Sequence, residues 1–267
     1  MTGLRYVYAV CRPLGAPLQA DLTGVAGDPP RLLTHHGLIA VVSHVPERDF
    51  SAEALRRRRE DLDWLAATVR AHQQVVDALT AVTTPLPLRL ATVFRDDSGV
   101  RVMMEEQEDH FRRTLDRLSG RVEWGVKVYV EPEPEPLATA PPAAQEDIRR
   151  RAERYAARLH STLLAHAEDA RLHPPQNSSL SSAGAGQNVL NAAYLVPRAQ
   201  SEEFVEIVDR TKGEETGIRV ELTGPWAAYS FVEPSFVEPS SAEPSSAEPS
   251  SAERGGEGES GGPGEQA

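Results

Sequence analysis

A proline-punctuated repeat limits how much of this chain can fold. From Val232 a five-residue unit, V/A-E-P-S-S/F, recurs as far as Ala252, and a segment rich in Gly and Glu follows it. Proline in every unit excludes a helix and removes backbone donors, and the few apolar side chains cannot offset the entropy lost on ordering the chain. The sequence therefore predicts a disordered acidic tail over residues 233–267. About 230 residues are left to fold, which suits one large domain or two small ones.

The negative charge lies mainly in segments that are not expected to fold. The whole chain has a formal net charge of −12, of which the tail carries −7, and the segment EPEPEP at 131–136 adds three Glu. The remaining chain is close to neutral and lacks the clustered basic surface that nucleic-acid binding requires. The four arginines at 56–59 are interpreted as a solvated helix face, because Glu53, Glu60 and Asp61 lie within a turn of them. We therefore expect no nucleic-acid partner.

Cysteine content and hydropathy favour a cytoplasmic protein. Cys11 is the single cysteine, so neither an intrachain disulfide nor a thiolate zinc cluster is expected. The opening stretch MTGLRYVYAV lacks the long apolar region of a signal peptide. No run of about 18 apolar residues occurs, so we expect no membrane-spanning segment and no membrane partner.

Periodicity predicts a mixture of strands and helices. The clearest strand is RVEWGVKVYV at 121–130, where alternate residues from Val122 to Val130 share one face. A long helix is predicted from Ser51, which supplies an N-cap, because no Pro or Gly interrupts the chain before Pro85. The other predicted strands are 4–11, 37–45, 84–94, 188–197, 217–224 and 226–231, and the other predicted helices are 102–118, 145–173 and 201–211.

This order of elements predicts an α+β protein of two domains. Helices packed on a mainly antiparallel sheet are the economical arrangement for both halves of the chain. We predict a ferredoxin-like α+β domain over residues 1–130, a Glu/Pro-rich linker over 131–142, and a smaller C-terminal α+β domain over 143–232. The disordered tail follows from 233.

The sequence shows no constellation that indicates an enzyme, a metal site or a cofactor site. Its eight histidines are scattered without metal-ligand spacing, and the serine clusters lack the strand-turn-helix context of a nucleophile. The glycine-rich GAGQN at 184–188 lacks the other residues of a phosphate loop. Arg89 lies in an apolar stretch, PLPLRLATVF, and a structural ion pair is predicted for it, because buried arginines are usually paired. We predict no catalytic residue, no metal and no cofactor.

Several segments in a fixed order resemble the gas vesicle accessory protein F/L family. They are YVYAV, GLIAVVSHV, AHQQVVDAL, PLPLRLATVF, VEWGVKVYV, LNAAYLVP and RVELTGPWAAYSF, and together they cover nearly all of residues 4–232. Two segments depart from the family pattern. Leu90 and Ala91 stand where the family usually has Phe and Gly, and Ala227 and Ala228 stand where it usually has two prolines. The repeat tail is not part of the family pattern.

The resemblance implies a non-enzymatic role in forming gas vesicles. Family members are accessory or minor structural proteins that associate with the apolar main shell protein and with other accessory proteins. The resemblance also implies two α+β domains, the first of them ferredoxin-like, and a location in the cytoplasm and at the gas vesicle.

A protein that builds a gas-contacting wall exposes apolar surface before assembly, and such surface aggregates unless it is covered. A sheet with an unpaired edge can add a strand from a partner. On this hypothesis the partner-binding residues are those of the aromatic and terminal strands: Trp124, Val126, Trp226, Tyr229 and Phe231. The alternative is a small-molecule-binding or regulatory α+β module, which an enclosed pocket with converging polar groups would favour.

Overall fold

The structure is a computed structural model that describes residues 3–58, 60–131, 142–175 and 186–232. These residues form an α+β protein with two antiparallel sheets, which confirms the predicted fold class. The predicted tail and most of the predicted linker lie outside the described residues.

The first sheet has five strands in the order β2-β3-β1-β4, and β5 also pairs with β1. Every pairing is antiparallel. This is the strand arrangement of a ferredoxin-like domain, except that an extended connection with one 3-10 turn stands in place of the first crossover helix. The strands are β1 (Gly3–Cys11), β2 (Arg31–His35), β3 (Leu38–Pro46), β4 (Leu86–Pro87) and β5 (Val93–Phe94).

Helices cover both faces of this sheet. Tyr6 and Tyr8 of β1 belong to the same buried cluster as the apolar residues of α3, whereas Val7 and Val10 belong to the cluster of α4 and α5. A strand that is buried on both faces needs an almost continuous apolar sequence, which explains YVYAVC. The helices are α1 (Glu47–Phe50), α2 (Ala52–Arg58), α3 (Leu62–Val82), α4 (Asp97–Glu106) and α5 (Glu108–Leu118).

Polar residues interrupt two predicted helices. The long helix expected from Ser51 is divided, because the side chain of Asp61 accepts a hydrogen bond from the backbone N–H of Trp64 and starts α3 anew. The helix expected at 102–118 is α4 and α5, which meet at Gln107. The strand expected at 84–94 consists of β4 and β5, joined by a turn.

The second sheet has the order β7-β8-β6-β9, again antiparallel throughout. Its chain order, β6-α6-β7-β8-α7-β9, is that of a complete ferredoxin-like unit. Both helices pack on one face, over a cluster that includes Val126, Val128, Tyr194 and Phe204. The elements are β6 (Arg121–Val130), α6 (Pro142–Leu164), β7 (Asp169–Leu172), β8 (Gln187–Pro197), α7 (Ser201–Thr211) and β9 (Ile218–Trp226).

Strand β6 lies in the centre of the second sheet. The predicted first domain, residues 1–130, includes this strand, whereas its hydrogen bonds join it to β8 and β9. Alternation predicts a strand but carries no information about its partners, which is why the pattern did not reveal this membership. Sheet membership therefore favours a division near Gly120, ahead of the predicted linker at 131–142.

The last predicted strand, WAAYSF at 226–231, is not a strand beyond its first residue. Strand β9 continues through the predicted break at Gly224 and ends at Trp226, and residues 229–231 form a 3-10 turn. Alanine at 227 and 228 places small side chains where the chain turns back against both sheets, and both residues are buried.

Candidate functional site: a protein-interaction surface

The segment that follows β9, residues 227–232, packs against both halves of the molecule. Ala227 belongs to the buried cluster of α3 and the first sheet. Ala228 and Phe231 belong to another cluster, with Leu118 of α5 and Leu195 of β8. We call residues 227–232 the closing segment. Because it buries side chains from both sheets, it holds the two units together through apolar contact.

A buried carboxylate fixes the closing segment to β6. The backbone N–H of Ser230 donates to Oε2 of Glu123 at 2.8 Å, and its hydroxyl donates to Oε1 at 2.7 Å. Burial raises the pKa of Glu123, and the two hydrogen bonds from Ser230 oppose that rise. The ring Nε2 of His173 lies 3.1 Å from the same hydroxyl. These contacts make Ser230 the polar anchor of the segment.

A buried histidine lies beneath the closing segment. The Nδ1 atom of His72 is 2.9 Å from the hydroxyl of Tyr6, and its ring lies 6.4 Å, centre to centre, from that of Tyr229. Burial lowers the pKa of His72 to about 4 and raises the pKa of both tyrosines. Nε2 of His72 and the hydroxyl of Tyr229 have no partner among the described residues. The histidine is therefore neutral near pH 7.

The residues predicted to bind a partner lie in different environments. Val126 and Phe231 are fully buried, so their side chains contribute to the core and are not a surface. Trp124 is also buried, and its indole N–H donates to the hydroxyl of Ser201 at 3.3 Å. Tyr229 is partly buried, with its hydroxyl inside. Trp226 alone among the five presents a large exposed fraction, 37%.

Strand β9 forms one edge of the second sheet and ends at Trp226. Within the described residues β9 pairs with β6 only, and at nine residues it is the longest edge strand of either sheet. The central strand β6 is paired on both sides and offers no edge. An unpaired edge presents backbone donors and acceptors to a partner strand. We call the outer side of β9 together with Trp226 the β9 edge.

A small apolar groove lies between the indole of Trp124, on β6, and the start of α7. It has a volume of about 380 Å³ and is lined by Trp124, Ser201, Glu202, Val205 and Glu206. The two glutamates place negative charge at the rim of an apolar floor.

Arg89 does not occupy the position that the sequence predicted. It follows β4 and is exposed, and the part of the chain that the structure describes contains no salt bridge to it. The expectation of a buried arginine in a strand is therefore wrong. Pro87 ends the pairing of β4 with β1, and Arg89 lies in the turn beyond it.

A wider groove of about 960 Å³ lies beside the first sheet and is open to solvent. Its charged lining is mixed: Arg5, Asp28, His44, Glu47 and Arg48. Over the described ranges, no group of three or more His, Cys, Asp or Glu side chains is arranged to hold a metal ion. Nor does any helix within these ranges combine the length and the apolar character of a membrane span.

Two buried polar contacts beneath the closing segment were not predicted from the sequence. Alternation placed Glu123 on the polar face of its strand, but nothing in the pattern paired it with Ser230, 107 positions away. His72 sits on the buried stripe of α3, and its contact with Tyr6 depends on tertiary packing. The one sequence feature that could have indicated this contact is a histidine on the apolar face of a helix.

The sequence matches a known family over almost all of the described chain. The family profile described as "Gas vesicle synthesis protein GvpL/GvpF" matches residues 4–233. The chain is 52% identical over 248 residues to gas vesicle protein L of Streptomyces sp. (strain CB03234), with 85% of this chain and 92% of that protein covered. It is 28% identical over 258 residues to gas vesicle protein F of the same strain, with 85% and 99% covered.

Solved structures share the fold. The crystal structure of gas vesicle protein GvpF from Anabaena sp. PCC7120 superposes with a TM-score of 0.64 at 17% identity, covering 86% of this chain and 96% of that one. The crystal structure of gas vesicle protein GvpF from Microcystis aeruginosa gives a TM-score of 0.62 at 18% identity, with 87% and 100% covered. At these identities the likeness concerns the fold alone.

Proposed function

Because the chain belongs to the gas vesicle synthesis protein GvpL/GvpF family, we propose that it binds the main gas vesicle shell protein and other accessory proteins during assembly. Family membership makes it a gas vesicle accessory protein. In the proposed mechanism it is not an enzyme: it covers apolar surface of the shell protein in the cytoplasm until that surface is buried in the growing vesicle.

The observation that carries the proposal is the β9 edge. A partner strand that adds to β9 gains main-chain hydrogen bonds from the outward-facing residues between Ile218 and Thr223, ahead of Pro225, and affinity from such pairing does not depend on a particular side-chain sequence. Trp226 then supplies an aromatic anchor at the end of the strand, and aromatic residues dominate the energy of protein interfaces. The groove beside Trp124 is a second apolar contact, on the helical side of the same sheet.

A co-expression experiment tests this proposal. The main shell protein is produced with and without this chain, and its soluble fraction and co-purification are measured. The proposal predicts that the shell protein becomes soluble and co-purifies. Shell protein that stays insoluble and unbound beside a folded accessory protein contradicts direct binding.

The small-molecule alternative rests on the wider groove. Its arginine, histidine and acidic side chains suit a polar ligand of modest size, but the groove is open to solvent and is therefore not the enclosed pocket that would favour this alternative most. A ligand screen by thermal unfolding distinguishes the two proposals, because a bound ligand raises Tm in proportion to the logarithm of its concentration. A ligand that raises the Tm of the unaltered protein, but not the Tm of Arg5→Ala, supports the alternative.

A further inference from the structure

The first half of helix α3 carries exposed apolar side chains on one face. Leu62 and Val69 have 66% and 44% of their surface exposed, and Ala66, about one turn from each, is partly exposed. Spacings of three, four and seven residues place all three on the same side of the helix. We call these three residues the α3 row. Single exposed apolar residues are ordinary on a protein surface, whereas a row of them along one helix face is typical of a contact with another protein.

The α3 row is distinct from the face that α3 buries in its own unit. None of its three residues belongs to a buried cluster of either sheet. The buried residues of the helix are Thr68, His72, Val75, Val76 and Leu79. The other end of α3 lies close to the second unit, because a guanidinium N–H of Arg198 donates to the carbonyl of Thr80 at 3.0 Å. The face that is left without a partner is therefore confined to the first three turns of the helix.

Two opposite charges accompany the α3 row at the same seven-residue spacing. Asp63 and Arg70 are both exposed, and each follows a member of the row by one residue. They therefore lie on the same side of the row, about 10.5 Å apart along the helix axis. Within the described ranges neither side chain makes a salt bridge or a hydrogen bond, whereas the nearby Arg58 and Asp61 pair with each other. Both charges are available to a partner.

This arrangement is complementary to itself when the helix direction is reversed. If a two-fold axis passes the midpoint of Asp63 and Arg70, each Asp63 faces Arg70 of the partner, and two ion pairs form. A parallel pair would instead bring like charges together. Ala66 lies next to this axis, where a small side chain lets two helices approach closely, and Leu62 and Val69 then cover apolar surface of the opposite helix. Charge and shape thus favour a second copy of this chain as the occupant.

We propose that the α3 row, with Asp63 and Arg70, joins two copies of this chain as an antiparallel helix pair. The contact uses no residue of the β9 edge, so the proposal stands or falls separately from binding of the shell protein. Three helical turns make a small interface, and small interfaces give weak, concentration-dependent association. The dimer therefore forms where the local concentration of the chain is high.

Sedimentation equilibrium of the full-length chain tests the proposal at concentrations between about 5 and 500 µM, the range in which a small interface associates. We expect a monomer–dimer equilibrium. L62S/V69S removes the apolar contact and should raise the dissociation constant at least tenfold. Both side chains are exposed, so the fold should be retained, which urea unfolding verifies. The matched control is Val102→Ser, at a valine of α4 that is 51% exposed, and its dissociation constant should stay within twofold.

Charge reversals test the antiparallel direction. D63R and R70D each place like charges opposite one another and should raise the dissociation constant at least threefold. The double variant D63R/R70D exchanges the two charges and should restore the original value to within twofold. A mixture of the D63R chain with the R70D chain should form a heterodimer that is tighter than either homodimer, because every facing pair is then of opposite sign.

Four outcomes overturn the proposal. A chain that is monomeric at every concentration leaves the α3 row to a different protein. A dimer that L62S/V69S does not weaken, or that Val102→Ser weakens equally, forms through another surface. Single charge reversals that leave the affinity unchanged exclude the antiparallel pair.

Discussion

Glu123 and Ser230 join the two ends of the second unit through a pair of hydrogen bonds. The carboxylate lies on β6, 8% exposed, and accepts from both the backbone N–H and the hydroxyl of Ser230 at 2.8 and 2.7 Å. Ser230 lies in the closing segment, which also packs on the first sheet. These two hydrogen bonds therefore connect the central strand of the second sheet to the segment that packs against both sheets.

Removal of this carboxylate is expected to destabilise the whole described region. Glu123→Ala leaves the backbone N–H of Ser230 without its acceptor, and an unsatisfied buried donor costs about 1–3 kcal/mol of unfolding free energy. Ser230→Ala removes the hydroxyl that donates to Glu123 and contacts His173, while the backbone N–H keeps its acceptor, and is expected to cost about 1 kcal/mol. Urea unfolding measures both. The control is Glu105→Ala at an exposed position of α4, expected to stay within about 0.5 kcal/mol of the unaltered protein. A Glu123→Ala protein as stable as the control would contradict the assigned role.

His72 is expected to make the protein acid-sensitive in a defined pH window. Its pKa is lowered from 6.5 to about 4 by burial, so the unfolded chain binds this proton more readily than the folded one. Stability from His72 is therefore complete above pH 6.5 and is lost as the pH falls towards 4, by about 3 kcal/mol in all.

His72→Gln separates this contribution from that of the carboxylates. Glutamine keeps a partner for the hydroxyl of Tyr6 but does not titrate. The unfolding free energy of the unaltered protein should fall relative to that of the variant between pH 6.5 and 4. Parallel pH profiles of the two proteins would show that His72 has no such role.

Ala91 is expected to be a site where glycine stabilises the fold. Its φ of 61° costs an alanine about 1–2 kcal/mol, and glycine adopts this conformation without that cost. After the larger entropy loss of glycine on folding, Ala91→Gly should raise the unfolding free energy by about 0.5–1 kcal/mol. The matched change Ala67→Gly, on the exposed side of α3, should lower it by about 1 kcal/mol. Loss of stability in Ala91→Gly would indicate that the turn does not carry this strain.

Parts of the fold were predictable from local pattern. Strand β6 and helix α7 begin and end where the sequence predicted, because strict alternation and a serine followed by an acidic first turn are strong local signals. Ala91, which stands where the family usually has Gly, has a positive φ in the structure. Glycine is the usual residue in that conformation, so the family pattern and the backbone agree at this position.

Other parts depended on contacts that no local pattern records. The edge strand β2 was missed, because its five residues, RLLTH, show only one buried side chain. The aromatic segment WAAYSF looked like a strand, yet tertiary packing of Phe231 and the hydrogen bonds of Ser230 fold it into a turn. For the candidate site, composition identified Trp226 but could not distinguish it from Val126, which is buried in the middle of the same sheet.

The most direct test of the account is the amount of main shell protein that co-purifies with variants of the β9 edge. Thr223→Lys places a charge on an exposed position of this edge, and lysine on an edge strand opposes the addition of another strand. The control is Thr162→Lys on the exposed side of α6. Urea unfolding of both variants establishes that the fold is retained.

We expect the unaltered chain and Thr162→Lys to solubilise and retain equal amounts of shell protein, and Thr223→Lys to retain at least fivefold less. Equal retention by Thr223→Lys and its control would contradict binding through the β9 edge. Failure of the unaltered, folded chain to retain any shell protein would contradict direct binding altogether.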